Sequence, residues 1–350
     1  MDEYAVKGSV DEHAAGAATG QEPAGTSGPA PGAVRTAVAA ALLAPSVHNS
    51  QPWRWRITDD RVELHADPDR RLPFTDPDRR DHLVSCGAAL ATLHVALTGA
   101  GIGHVIERFP RDDRDHLATV RFTGQPATDR ADAVLARAIE RRRTDRRPFP
   151  DGAIAPHTRA ALGTRAARYG ATLVAVTDSA ARAQLAELEQ DAARELRSRP
   201  GQAAELLVWT RRYADSRDGV RAESVPGGTR WPREPEIGVR FPAGSLPAAA
   251  LAPDRATILA LTTVGDDDAA RLAAGEATGV VLLAATRAGL ATCPLSRMLE
   301  VPSTRRALAS RVLRTSEHPQ LLIRIGRAPD GRELPATRRR RLADVLVHGS

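Results

Sequence analysis

The chain has 350 residues, 42% of them hydrophobic and 26% charged, enough for two domains or one large domain with a tail around a sizeable core. Its formal net charge is +6, carried almost wholly by arginine, with Lys7 the sole lysine; no DNA- or RNA-binding module accompanies the charge. Two distant cysteines, Cys86 and Cys293, exclude a disulfide framework and a cysteine-based zinc site, the histidines lack ligand spacing, and no uninterrupted apolar run reaches the ~20 residues of a membrane span.

Residues 1–31 are rich in Ala, Gly, Pro, Ser and Thr without periodicity, which predicts a disordered tail with no secretory h-region and a cytoplasmic protein. A helical pattern starts near Ala33 with Val34, Val38, Leu42 and Leu43 on one face, and Pro45 stops it. The polar stretch Pro45-Ser46-Val47-His48-Asn49-Ser50-Gln51-Pro52-Trp53 follows. Its hydroxyls and amides both donate and accept hydrogen bonds, as the edge of a planar heterocycle requires. As sequence alone it is equally a helix end and a turn.

Trp53, Trp55 and Ile57, then Val62, Leu64 and Ala66, alternate with polar residues across Thr58-Asp59-Asp60, which predicts a hairpin whose Arg54 and Arg56 face solvent. A helix is expected over 78–99, with Cys86 as a small buried hydrophobe and His94 as a core or edge histidine. Two strands are expected near 104–109 and 117–122. The next helix is capped by Thr128 or Asp129 and carries Val134, Leu135, Ala138 and Ile139. It runs into Arg142-Arg143-Thr144-Asp145-Arg146, whose guanidinium forks suit a phosphate and also suit a helix C-terminus.

Further on, the pattern predicts helices over 156–168, 180–197 and 269–289, and strands over 171–176, 257–263 and 320–325. Residues 212–253 are irregular and rich in Gly and Pro, as in a lid or binding loop. Arg338 to Arg341 open the C-terminal tail and read either as a second phosphate contact or as a solvated run. The helix from Cys86 to Gly99 and the helix from Gly275 to Gly289 occupy equivalent places in two similar orders of elements, an internal repeat.

The stretch Pro-Ser-x-x-Asn-x-Gln-Pro-Trp resembles the flavin-binding loop of the nitroreductase superfamily, and Arg142 to Arg146 resembles its Arg-Arg-Ser-x-Arg segment with Thr144 in the serine's place. The chain is most similar to the Acg-like branch, over roughly 33–347. The resemblance implies an α+β nitroreductase-like fold of two pseudo-symmetric halves, each with a mixed β-sheet flanked by helices. The expected divisions are a tail at 1–31, a first half at 32–127, and a second half at 128–347 with 212–253 as a lid-like loop.

The resemblance implies FMN as cofactor, NAD(P)H as donor and a small electron-poor acceptor such as a nitroaromatic or quinone, with neither nucleic acid nor membrane as partner. Because the flavin carries the chemistry, no catalytic side chain is assigned. The cofactor-binding candidates are Ser46, Asn49 and Gln51 at the ring, and Arg142, Arg143, Thr144 and Arg146 at the phosphate. Pro294, Leu295 and Ser296 pass the ring edge, where the family often has Glu-Gly and this chain has Ser296-Arg297. Arg339 or Arg340 reaches the phosphate from the tail. Neither half holds a complete set, so one FMN per chain is expected in an internal pseudo-dimer. The alternative is a protein that binds flavin with little or no turnover.

Overall fold

The computed structural model describes residues 28–347 apart from 112, 214, 228–239, 248–253 and 331–332. Most of the expected tail and parts of the expected lid therefore lie outside the described residues. Helix α1 (Pro31–Ala41) starts on a proline, which suits a first helical turn that has no partner for its N–H. Its apolar face, Val34, Ala37, Val38 and Ala41, is buried. The hairpin follows as β1 (Trp53–Ile57) and β2 (Arg61–Ala66), antiparallel, with Trp53 opposite Ala66 and Trp55 opposite Leu64. Trp53, Trp55 and Leu64 are fully buried. Arg54 is not simply solvated: it pairs with Asp67 at 2.8 Å and Asp69 at 2.6 Å.

Helix α2 (Arg80–Gly99) leads into β3 (Ile102–Arg108) and β4 (His116–Pro126), completing a sheet of order β1-β2-β4-β3. The single helix expected after Asp129 is two short ones, α3 (Arg130–Ala133) and α4 (Ala136–Ile139). Asp129 caps α3 by accepting from the Asp132 N–H at 3.1 Å. Helix α5 (Pro156–Ala167), β5 (Ala171–Val176) and α6 (Ser179–Ser198) fall where the periodicity places them. Helix α7 (Gln202–Thr210) was not expected.

The second sheet, order β5-β6-β8-β7, is completed by β6 (Thr257–Thr263), β7 (Ala291–Leu295) and β8 (His318–Gly326), with helix α8 (Asp268–Arg287) between β6 and β7. Short helices α9 (Pro302–Ala307) and α10 (Leu342–Val345) follow. Strand β6 is buried on both faces. Leu259 and Leu261 meet residues from α5 and α8, while Ile258 and Ala260 meet residues from α6 and the stretch after β7.

The two halves repeat one topology. In each, a strand pair, a twenty-residue helix and another strand pair build a four-stranded sheet, and the turn after the helix carries a left-handed glycine, Gly101 or Gly289. Among the described residues all ladders are antiparallel. The parallel component of the expected mixed sheets is confined to isolated bridges, among them Thr144 with Thr292 and Trp55 with Leu346.

The long helices α2 and α8 pack on each other through small residues. A Cβ on Gly87 would lie 2.1 Å from the Leu272 carbonyl oxygen and 2.8 Å from Gly275 Cα. Both helices are long and apolar enough to cross a membrane, yet 83% and 67% of their apolar windows are buried inside the protein. They form its centre, and Cys86 is buried there as expected.

Candidate functional site: a cavity between the halves

Between the halves lies a cavity bounded by the loop after α1, the start of α2, Thr144 and Arg146, and the end of β7 with Ser296 and Arg297. Of the residues singled out in the sequence, Ser46, Thr144, Arg146, Pro294, Leu295 and Ser296 all line it. Pro294 sits in β7, an edge strand, where a missing N–H is tolerated. A five-residue strand containing a proline leaves little signal in sequence, and the stretch reads there as a loop.

The loop's backbone is unusual. His48, Asn49 and Gln51 have φ of 50°, 55° and 52°, a left-handed region that non-glycine residues seldom occupy. Such strain persists where surrounding contacts over-determine it. Here they do. The Ser46 hydroxyl accepts from the Gln51 N–H at 3.0 Å, and the Val47 N–H donates to Ser85 Oγ at 3.1 Å. Asn49 Nδ2 donates to the carbonyls of Gly219 and Arg338, and Gln51 Nε2 donates to that of Arg217 at 2.8 Å. Gln51 Oε1 accepts from the Arg340 N–H at 2.7 Å. Both amides therefore tie the loop to the segment after α7 and to the C-terminal tail, and neither residue lines the cavity.

The arginines divide in the same way. Arg142 is buried, and its Nη2 donates to the Leu43 carbonyl at 3.3 Å. Arg339, from the tail, donates to the carbonyls of Leu43 and Ala44 at 3.4 and 3.2 Å. Arg143 bonds the carbonyls of Leu334, Glu140 and Arg142. The carboxylate of neighbouring Asp145 turns away to pair with Arg147 at 2.8 Å.

Burial, with Arg143 and Arg146 nearby, lowers the Arg142 pKa to about 10; burial, with Arg142 and Arg143, lowers that of Arg339 to about 9. Both remain cations at neutral pH. Arg142 Nη1 and Arg339 Nε are buried without a hydrogen-bond partner among the described residues. Arg340 goes elsewhere: its side chain reaches Asp67 at 3.3 Å and the Asp344 carbonyl at 2.6 Å.

Other cavity residues are not among the cofactor-binding candidates read from the sequence. Phe241 reaches in from the irregular segment and lies 5.2 Å beneath the Arg146 guanidinium. Arg240 beside it pairs with buried Glu300, which also accepts from Ser296 Oγ at 2.8 Å. Arg297 pairs with Glu189 at 2.6 Å, and Asp81 and His48 complete the polar wall.

The corresponding place in the other half is filled. Glu276 follows Gly275 as Ala88 follows Gly87, and Arg108 stands as far from Gly101 as Ser296 does from Gly289. Ala88 and Ser296 line the cavity, whereas Glu276 and Arg108 form a bidentate ion pair, 2.7 Å for each bond.

The chain is 43% identical over 324 residues to the Mycobacterium tuberculosis protein named Putative NAD(P)H nitroreductase Rv3131, covering 89% of this chain and 90% of that one. This chain belongs to the nitroreductase superfamily, in its Acg-like branch. The M. tuberculosis protein named Putative NAD(P)H nitroreductase acg is 34% identical over 318 residues, 90% of this chain and 95% of its relative. A solved structure, the FMN-dependent nitroreductase NfnB from Mycobacterium smegmatis in complex with NADPH, aligns with a TM-score of 0.39 at 18% identity, over 62% of this chain and 99% of that one. No family model matches the chain.

Proposed function

We propose that this protein binds one FMN in the cavity and passes hydride from NAD(P)H to an electron-poor acceptor such as a nitroaromatic or a quinone. The observation that carries the reading is the arginine cluster. Arg142, Arg143 and Arg339 lie together and, among the described residues, have no carboxylate among their hydrogen-bond partners, while two of their N–H groups are buried and unpartnered. Buried cations of one sign are costly unless an anion joins them. A phosphate, with close to two negative charges and several acceptor oxygens, fits that set. Residues of the cavity wall, Pro294, Leu295 and Phe241, suit a flat ring system beside it. The names of the relatives supply NAD(P)H as the donor in this reading.

In this assignment Arg142, Arg143, Arg339 and Arg146 hold the phosphate. Ser46, Thr144, Pro294, Leu295 and Ser296 frame the ring, while Asn49, Gln51 and Arg340 secure the loop and tail. Residues 32–127 and 128–347 act as two halves of one site, with the ion pair of Arg108 and Glu276 occupying the place of a second. Bound FMN would supply hydride acceptance and donation, so the protein's task is to bind, orient and control access.

A second reading, flavin binding with little turnover, is favoured by Phe241 standing in the cavity and by the buried pair of Arg240 and Glu300 that holds its segment there. The test is anaerobic mixing of the FMN-loaded protein with NADPH and with NADH. Bleaching of the flavin absorbance within seconds, and its return on adding a quinone, supports the oxidoreductase. A flavin that binds yet stays oxidised supports the second reading. A chain that takes up no FMN contradicts both.

A further inference from the structure

His48 differs from Asn49, Ser50 and Gln51 in lining the cavity. Asn49 Nδ2 and both amide atoms of Gln51 are bonded to backbone, and Asn49 Oδ1 and Ser50 Oγ lack a partner away from the cavity wall; among the described residues neither His48 Nδ1 nor His48 Nε2 has a hydrogen-bond partner, although the residue is only 5% exposed. Its ring lines the cavity, edge-on to Phe241 with the ring centroids 5.7 Å apart. Buried polar side chains in native proteins nearly always have a partner, so two orphaned nitrogens on one ring point to a molecule that satisfies them. The His48 backbone is itself in the strained left-handed region, as is frequent at ligand clamps.

The charge state narrows the choice of molecule. Burial, with Arg240 and Arg146 close by, holds the imidazole well below its ordinary pKa. It is neutral, with one N–H donor and one bare nitrogen acceptor. A phosphate presents only acceptors and would leave the bare nitrogen unmatched. The edge of a planar heterocycle with a carbonyl and a ring N–H matches both.

We propose that His48 holds the polar edge of the bound flavin ring, donating one hydrogen bond and accepting another, while Asn49 and Gln51 fix the loop that presents it. The inference rests on the FMN reading and assigns the ring contact to a residue that the motif leaves unspecified.

The experiment uses the full chain stripped of flavin and titrated with FMN, following the quenching of flavin fluorescence. The wild type is compared with His48→Phe, which keeps a planar ring without polar atoms, and His48→Gln, which keeps one donor and one acceptor. The ring resonances of isotope-labelled histidine are recorded for the wild type before and after saturation. Expected are roughly tenfold weaker FMN binding and an altered flavin reduction potential for His48→Phe, and binding within about threefold of wild type for His48→Gln. The His48 resonances should shift on saturation. A wild type that binds no FMN overturns the FMN reading and this inference together. A wild type that binds FMN with unmoved His48 resonances overturns this inference alone, whether or not His48→Phe folds. Equal affinity and potential in a folded His48→Phe do the same.

Discussion

At the scale of single residues, Gln51 shows what the sequence concealed. The motif marks its amide as a hydrogen-bonding group, but its direction depends on a left-handed backbone that residue identity does not encode. The side chain is fully buried and joins three backbone groups: the carbonyls of Arg217 and Asn49, and the Arg340 N–H. Gln51→Ala leaves the Arg217 carbonyl and the Arg340 N–H without this partner, while the Asn49 carbonyl keeps the Gly219 N–H, and should cost about 2–4 kcal/mol, by the usual cost of buried unsatisfied groups. Melting should fall, and the Arg340 amide should lose protection from hydrogen exchange; retained protection would contradict this role. Asp218 is a second case. Burial works to raise its pKa, but hydrogen bonds from Arg212, Ser216 and Arg70, with the Arg70 charge, outweigh burial and hold it at about 2, below the ordinary 3.8. The folded pKa is the lower one, so the stabilisation is complete above pH 4 and disappears as pH falls towards 2. Discounted for partial solvent contact, it amounts to about 1–2 kcal/mol. Asp218→Asn should lower the melting temperature at pH 7 and remove that share of the acid-induced loss. A variant whose melting temperature tracks the wild type at both pH 7 and pH 2 would rule the contribution out.

At the scale of elements, the repeat was legible because it lies in the order of helices and strands, which hydrophobic periodicity reports. The packing that joins the two copies was not legible. It depends on which small residues of α2 face which of α8, a matter of pairing across the chain. Gly87→Ala should be severely destabilising, by about 3 kcal/mol or more, because its Cβ meets the backbone of Leu272 and Gly275, which cannot move aside like a flexible side chain. Gly163→Ala in the middle of α5 meets no atom within 4 Å and should stabilise by about 0.5–1 kcal/mol. Chemical denaturation of both variants checks the contrast, and equal effects would contradict the close approach of the two long helices. Of the elements that the periodicity does not predict, α7 lies beside a Gly- and Pro-rich stretch, and β7 combines five residues with a proline. Neither is long enough to show a clear period.

At the scale of the whole molecule, the chain is woven rather than divided into two beads. The tail of the second half returns to the first, where the Val347 N–H donates to the Trp55 carbonyl at 2.9 Å and Arg339 reaches Leu43 and Ala44. Thr144 bridges to Thr292 on β7. These crossings bring residues from three distant stretches to one cavity. A reading along the chain marks residues 212–253 as a lid or binding loop, but it does not single out Phe241 within that segment. The resemblance already assigns Arg142 and Arg339, far apart in sequence, to one phosphate; that their hydrogen bonds go to backbone carbonyls rather than carboxylates is not legible in the basic composition. The central claim is that this arginine cluster holds the phosphate of a single FMN while the pair of Arg108 and Glu276 fills the second place. It is tested most directly by calorimetric titration of the flavin-free chain with FMN and with riboflavin, which lacks the phosphate. The account predicts one FMN per chain, with riboflavin bound weaker by about two to four decades because two or more charge-assisted hydrogen bonds are lost. Two flavins per chain, or riboflavin bound as tightly as FMN, would contradict it.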